Sequence, residues 1–184
     1  MRKLVVTENS TADGVIDMSG GWFDPLAEDT DQTDITAANA EHSAAADALL
    51  VGRNTFESFR GFWPHVEDDP TGVREYLNGV DKFVVSQTLD DPQWQHTTVL
   101  RGPIGAEVHA LKEADGRDIV ATGSIRLVQE LLRSGLADEI RLFLFPVVAG
   151  IGARLFDAAP EMRLDLLEAR PFTSGAVLMR CAVR

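Results

Sequence analysis

The chain is poor in cysteine and in positive charge. Its 184 residues hold one cysteine, Cys181. That excludes an internal disulfide and a zinc site built on thiolates, and it suits a reducing compartment such as the cytoplasm. Seventeen lysines and arginines stand against 29 aspartates and glutamates, a formal charge of −12. A surface this acidic repels nucleic acid and anionic membranes, which both need a cationic footprint. A phosphorylated small molecule needs only a local basic pocket and is not excluded. Long apolar runs are missing as well. The basic start, Met1-Arg2-Lys3, leads only into Leu4-Val5-Val6. No run approaches the roughly 18 residues of a membrane span, so neither a secretion signal nor a membrane anchor is expected.

The familiar catalytic signatures are absent too. There is no G-x-G-x-x-G, no G-x-x-x-x-G-K-[ST] and no G-x-S-x-G, so the ordinary dinucleotide fingerprint, the P-loop and the hydrolase elbow are missing. His42, His65, His96 and His109 are scattered without an H-E-x-x-H spacing, and no metal site is expected.

What is present is a globular composition, 45% hydrophobic and 25% charged, in a length that suits one domain spanning 1–184. Short apolar runs alternate with helical patterns, which predicts an α/β fold with a largely parallel sheet. Strands are expected at 4–6, 48–52, 82–86, 98–100 and 118–121, and helices at 35–48, 53–59, 71–78, 106–114 and 125–132. Residues 8–33, rich in Gly, Asp, Ser and Thr, read as a long loop of the kind that carries function. The last third changes character. Residues 139–148, 163–170 and 176–183 read as three long strands, and the last two, with no helix between them, as an antiparallel hairpin.

In open α/β sheets, ligands bind beyond the carboxyl ends of the parallel strands. Three such ends carry suitable groups. At Gly52-Arg53-Asn54-Thr55, glycine lets backbone approach a ligand and Arg53 offers a fork suited to phosphate. At Ser86-Gln87-Thr88, small hydroxyls suit a phosphate or ribose. At Thr122-Gly123-Ser124, the amides opening an apolar helix favour an anion, with Ser124 as the expected N-cap. Taken singly, each reads more readily as an ordinary turn or helix start. Taken together they are what a dinucleotide would use. In the long loop, Asp13, Asp17, Asp24 and Glu28 read mostly as solvated carboxylates, with one substrate-orienting acid as the alternative. Trp22, Phe23, Phe62 and Trp63 read as satellite packing or as a stacking wall for a flat ring.

Four stretches together resemble the dihydrofolate reductase-like superfamily. They are Ser10-Thr11-Ala12-Asp13-Gly14-Val15-Ile16, the run Ala46 to Glu57, Lys82 to Ser86, and the run Ile119 to Phe156 with Thr122-Gly123-Ser124 and Pro146-Val147-Val148-Ala149-Gly150. They are most similar to the branch of the C-terminal reductase domain of the riboflavin-biosynthesis deaminase-reductase. The resemblance implies a three-layer αβα fold around a mixed eight-stranded sheet with antiparallel C-terminal strands. It also implies NADPH as hydride donor. Arg53 and Thr55, beside Gly52, would hold phosphates, with Arg53 near the 2′-phosphate. Ser86 and Gln87 would sit near the adenosine. Thr122, Gly123, Ser124 and Ile125 would cradle the pyrophosphate, and Ile16 would lie against the nicotinamide. The family commonly has two glycines where this chain has Thr122-Gly123.

The implied activity is reduction of a C=N or C=O in a small pterin- or pyrimidine-like heterocycle. It would be similar to that of 5-amino-6-(5-phosphoribosylamino)uracil reductase or of dihydrofolate reductase. Asp13 or a water would supply the proton, the 8–33 loop would act as a lid, and a homodimer would be the assembly. The alternative is a nucleotide-binding protein of the same fold without turnover.

Overall fold

A computed structural model describes residues 1–26, 31–157 and 159–184. Eight strands form one sheet: β1 (Leu4–Thr11), β2 (Ala46–Gly52), β3 (Asp81–Val85), β4 (Thr97–Leu100), β5 (Asp118–Ala121), β6 (Glu139–Phe145), β7 (Leu164–Pro171) and β8 (Val177–Val183). The helices are α1 (Thr33–Ala44), α2 (Arg53–Phe62), α3 (Val73–Gly79), α4 (Ile104–Glu113) and α5 (Ile125–Arg133). The strand order is β4-β3-β2-β5-β1-β6-β8-β7. All pairings are parallel except β6 with β8 and β7 with β8. This is the mixed sheet with an antiparallel C-terminal hairpin that the sequence predicts.

The central strands are apolar on both faces because helices cover both. On one face, Leu4, Val6, Leu50, Ile119 and Ile140 pack against Val108 of α4 and Leu127, Val128, Leu131 and Leu132 of α5. On the other, Leu49, Val51 and Val84 meet Phe56 of α2 and Leu77 of α3. Further along that face, Phe143 and Leu178 meet Ile35 and Ala38 of α1. These two clusters leave a strip over β1 and β5 between them. By strand alternation it is floored by Thr7, Asn9 and Thr122, each half-buried.

Several boundaries differ from expectation: β6 stops at Phe145 rather than at 148, α2 runs to Phe62, α4 opens at Ile104, and two further shifts have a clear cause. The first strand runs on to Thr11, because β6 pairs with it from Val5↔Glu139 to Thr11↔Phe145. Residues 8–11 are therefore strand and not the start of the loop. The first helix stops at Ala44, because Ala46 already pairs with Asp118 of β5. Among the described residues no helix is long and apolar enough to cross a membrane.

Candidate functional site

The carboxyl ends of β2 and β5 lie close together, since Ala121 pairs with Leu50, while β1, whose Val6 pairs with Ala121 on the other side, runs on to Thr11. The turns that follow interlock. The Gly52 amide donates to the Gly123 carbonyl at 3.3 Å. The Thr55 amide and hydroxyl each donate to Ser124 Oγ at 3.3 Å. A side chain at Gly52 would bring its Cβ within 2.5 Å of Ser124 Oγ, and one at Gly123 would collide with the Thr55 hydroxyl. Gly123 also has φ +51 and is followed by a cis peptide. Glycine is thus required at both turns for the backbones to approach. Gly52, Thr55, Gly123 and Ser124 are thereby in mutual contact, with Thr122 and Ile125 as their chain neighbours.

Ser124 holds the N-cap position of α5, but its side chain makes no capping bond. Ser124 thus takes the expected position, but the expected side-chain cap is not made; its hydroxyl is turned to Thr55 of the neighbouring loop. The helix therefore opens on uncapped amides. Neither α2 nor α5 has an acidic residue in its first turn. Each carries an exposed arginine there instead, Arg53 and Arg126. A helix N-terminus bears about half a positive charge, so an arginine beside it is unfavourable until an anion arrives. Two such ends sit side by side on a molecule of net charge −12. Arg126 escaped the sequence reading because nothing in the local pattern marks it.

The remaining expected contacts are placed less directly. Ser86 follows β3, whose Val85 pairs with Gly52. Its hydroxyl accepts from the Thr88 and Leu89 amides at 3.2 and 3.0 Å, so it serves its own turn. The Gln87 side chain donates to the Arg101 carbonyl at 2.7 Å. Ile16 is 4% exposed and lies in the core cluster against which Ile125 also packs.

Asp13 is a tether. Its carboxylate accepts from the Thr11 hydroxyl at 2.6 Å, from the Ala149 and Gly150 amides at 3.1 and 2.9 Å, and from Arg154. The Thr11 hydroxyl above all, with the two amides, lowers its pKa to about 2. These donors favour the ionised form of Asp13 in the neutral range. Asp17 and Asp24 accept from the Ser19 and Leu26 amides and serve local turns. Glu28 lies outside the described residues. Trp22 and Phe23 gather on Phe145 at the end of β6, with centroids 5.2–6.0 Å apart, and form an aromatic wall beside the strip. Phe62 and Trp63 pack edge to face away from it, with Trp63 buried among the side chains of α2 and α3.

A second group that sequence reading misses is Glu8. It is 6% exposed, and its Oε1 accepts the Gly123 amide at 2.7 Å. Burial pushes its pKa up to about 7, with the Gly123 amide pulling the other way. The signal was the alternation of Leu4, Val6 and Glu8 on one inward face. It becomes visible only once the strand is known to continue past Val6.

A family model described as the RibD C-terminal domain matches residues 2–178. The uncharacterized protein YyaP of Bacillus subtilis (strain 168) is 30% identical over 179 residues, which is 96% of this chain and 92% of the relative. The dihydrofolate reductase of Enterococcus faecalis, solved with NADP(H), superposes with TM-score 0.65 at 16% identity, covering 99% of this chain and 96% of that one. The Thermotoga maritima diaminohydroxyphosphoribosylaminopyrimidine deaminase/5-amino-6-(5-phosphoribosylamino)uracil reductase gives TM-score 0.65 at 18% identity, covering 100% of this chain and 57% of that one. At these identities the structural likeness speaks for the fold, which is αβα and dihydrofolate reductase-like.

Proposed function

The chain belongs to the RibD C-terminal domain family, and from that premise we propose that it is an NADPH-dependent reductase of a small pyrimidine- or pterin-like heterocycle. The observation that carries this reading is the interlock of the β2 and β5 turns, Gly52 and Thr55 against Gly123 and Ser124, between two helix N-termini that carry arginine in place of acid. This donor set fits an elongated polyanion. The Thr55 and Ser124 hydroxyls and the amides opening α5 would hold the pyrophosphate. Arg53 would hold the 2′-phosphate, for which a guanidinium fork is suited. When bound, the coenzyme supplies a hydride for a C=N or C=O carbon.

The chain's own part is to bind, orient and exclude water. Thr7 and Asn9 offer polar groups on the floor of the strip, and Trp22, Phe23 and Phe145 offer a face for a flat ring. With Asp13 ionised, water is left as the proton source. The names of the Thermotoga and Enterococcus neighbours support an aminouracil or a folate as the substrate class. The reading extends to a cytoplasmic homodimer, supported by the single cysteine and by Leu166 and Leu167 on the edge strand β7, which are 63% and 52% exposed.

A fluorescence titration with NADPH, followed by its absorbance decay with 5-amino-6-(5-phosphoribosylamino)uracil and with dihydrofolate, tests the whole reading. Binding without oxidation of any of these would favour the nucleotide-binding alternative. Arg53→Ala should weaken NADPH about tenfold or more and leave NADH nearly unchanged. Equal losses for both would remove Arg53 from the 2′-phosphate. Light scattering checks the dimer, which Leu166→Lys should dissociate; an unchanged mass would place the interface elsewhere.

A further inference from the structure

Glu8 lies directly beneath the turn that would receive the pyrophosphate. Its carboxyl oxygen holds the Gly123 amide at 2.7 Å. The neighbours on its face are Leu4, Val6 and Ser10 of β1, Ile119 and Ala121 of β5, Ile140 and Leu142 of β6, and Leu127 and Val128 of α5. None of them titrates. Of the charged side chains on the surrounding elements, Arg53 and Arg126 are exposed, Asp13 pairs with Arg154, Glu139 with Arg141 and Arg180, and Lys112 with Asp138. Glu8 makes no ion pair among the described residues, and only burial and the Gly123 amide act on its titration. It is a buried acid without a counter-charge, beside an anion site.

Two like charges in a water-poor site cannot both stay ionised without a large cost. A neutral carboxyl still accepts the Gly123 amide through its carbonyl oxygen, so the turn keeps its shape in either form and only the charge changes. We propose that Glu8 is a positioning residue that couples coenzyme binding to proton uptake: the neutral acid admits the pyrophosphate to the 122–125 turn, and the carboxylate opposes it. The proposal rests on the coenzyme reading above.

Calorimetric titration with NADPH at pH 8, in two buffers of different ionisation heat, reads the protons exchanged. Uptake close to one proton per coenzyme is expected for the unaltered protein; no uptake overturns the proposal. Affinity should fall about tenfold per pH unit above pH 7. Glu8→Gln keeps an oxygen for the Gly123 amide but carries no charge. This variant should lose the uptake, bind almost independently of pH, and exceed the unaltered protein about tenfold or more at pH 9. The coenzyme's own phosphate titrates alike in both, so the difference isolates Glu8. A Glu8→Gln protein with unchanged pH dependence, or one weakened equally at every pH, overturns the proposal and leaves the coenzyme reading standing. Failure of the folded, unaltered protein to bind NADPH at any pH sinks both together.

Discussion

Two carboxylates five positions apart on the chain end in opposite electrostatic states. Asp13 is surrounded by donors and stays ionised; Glu8 is buried with a single amide and resists ionisation. The difference has a consequence for folding that needs no coenzyme. Between the ordinary glutamate value and about 7 the folded chain binds a proton that the unfolded chain has lost, so stability falls as pH rises through that window and levels off above it. Below it, both states are protonated and nothing is lost. Glu8→Gln removes this contribution, and its unfolding free energy relative to the unaltered protein should rise by something on the order of 3 kcal/mol between pH 5 and pH 8. Denaturant melts at the two pH values measure it, and a constant difference would show that Glu8 titrates normally. Neither state could be read from composition. Asp13 was singled out because it stands in a recognisable stretch, and Glu8 was passed over because its burial depends on where β1 ends.

At the scale of the elements, the site depends on how closely two turns approach. Gly52 and Gly123 were legible in the sequence as strand-end glycines. Their reason was not, because it lies in side chains from the other turn, Ser124 over Gly52 and Thr55 over Gly123. Gly52→Ala should push the β2 and β5 ends apart, cost about 1–3 kcal/mol of stability, and weaken coenzyme binding. Replacing Ser124 with glycine in the same protein removes its Oγ and Cβ, the two atoms nearest the new methyl, and should recover much of the stability loss. A double-mutant cycle on the unfolding free energies checks this; strict additivity would mean that the two turns do not press on each other. The same interlock explains why Ser124 fails as a cap. Its hydroxyl has a better-placed partner 69 positions away than the amides of its own helix.

For the whole molecule, the excess of acid and the proposed polyanionic coenzyme work against each other, and salt separates them. At about 0.01 M the screening length is about 30 Å, so a coenzyme approaching the site feels the molecule's −12. At about 0.15 M it shrinks to roughly 8 Å, and mostly Arg53, Arg126 and the helix ends are felt. Near 1 M even these are screened. NADPH affinity should therefore pass through a maximum at intermediate salt. Titrations at the three ionic strengths would show it, and a steady fall from the lowest salt would mean that the local arginines govern at every distance.

The amino-acid order by itself determined the layer architecture and most of the strand ends. Buried parallel strands must be apolar on both faces, and a chain that alternates such runs with amphipathic helices has few other ways to hide them. It also determined the glycine-marked turns at 52 and 123 and the antiparallel close, because each is encoded within a few neighbouring residues. The tertiary structure alone decided what those turns do. It set Thr55 against Ser124, spent Ser86 on its own turn, tied Asp13 to the 149–150 backbone, and carried β1 far enough to bury Glu8 under Gly123. The Glu8 and Asp13 contacts span 115 and 136 positions and the Thr55 contact 69, so their hydrogen bonds and desolvation are set by neighbours in space that no local pattern specifies.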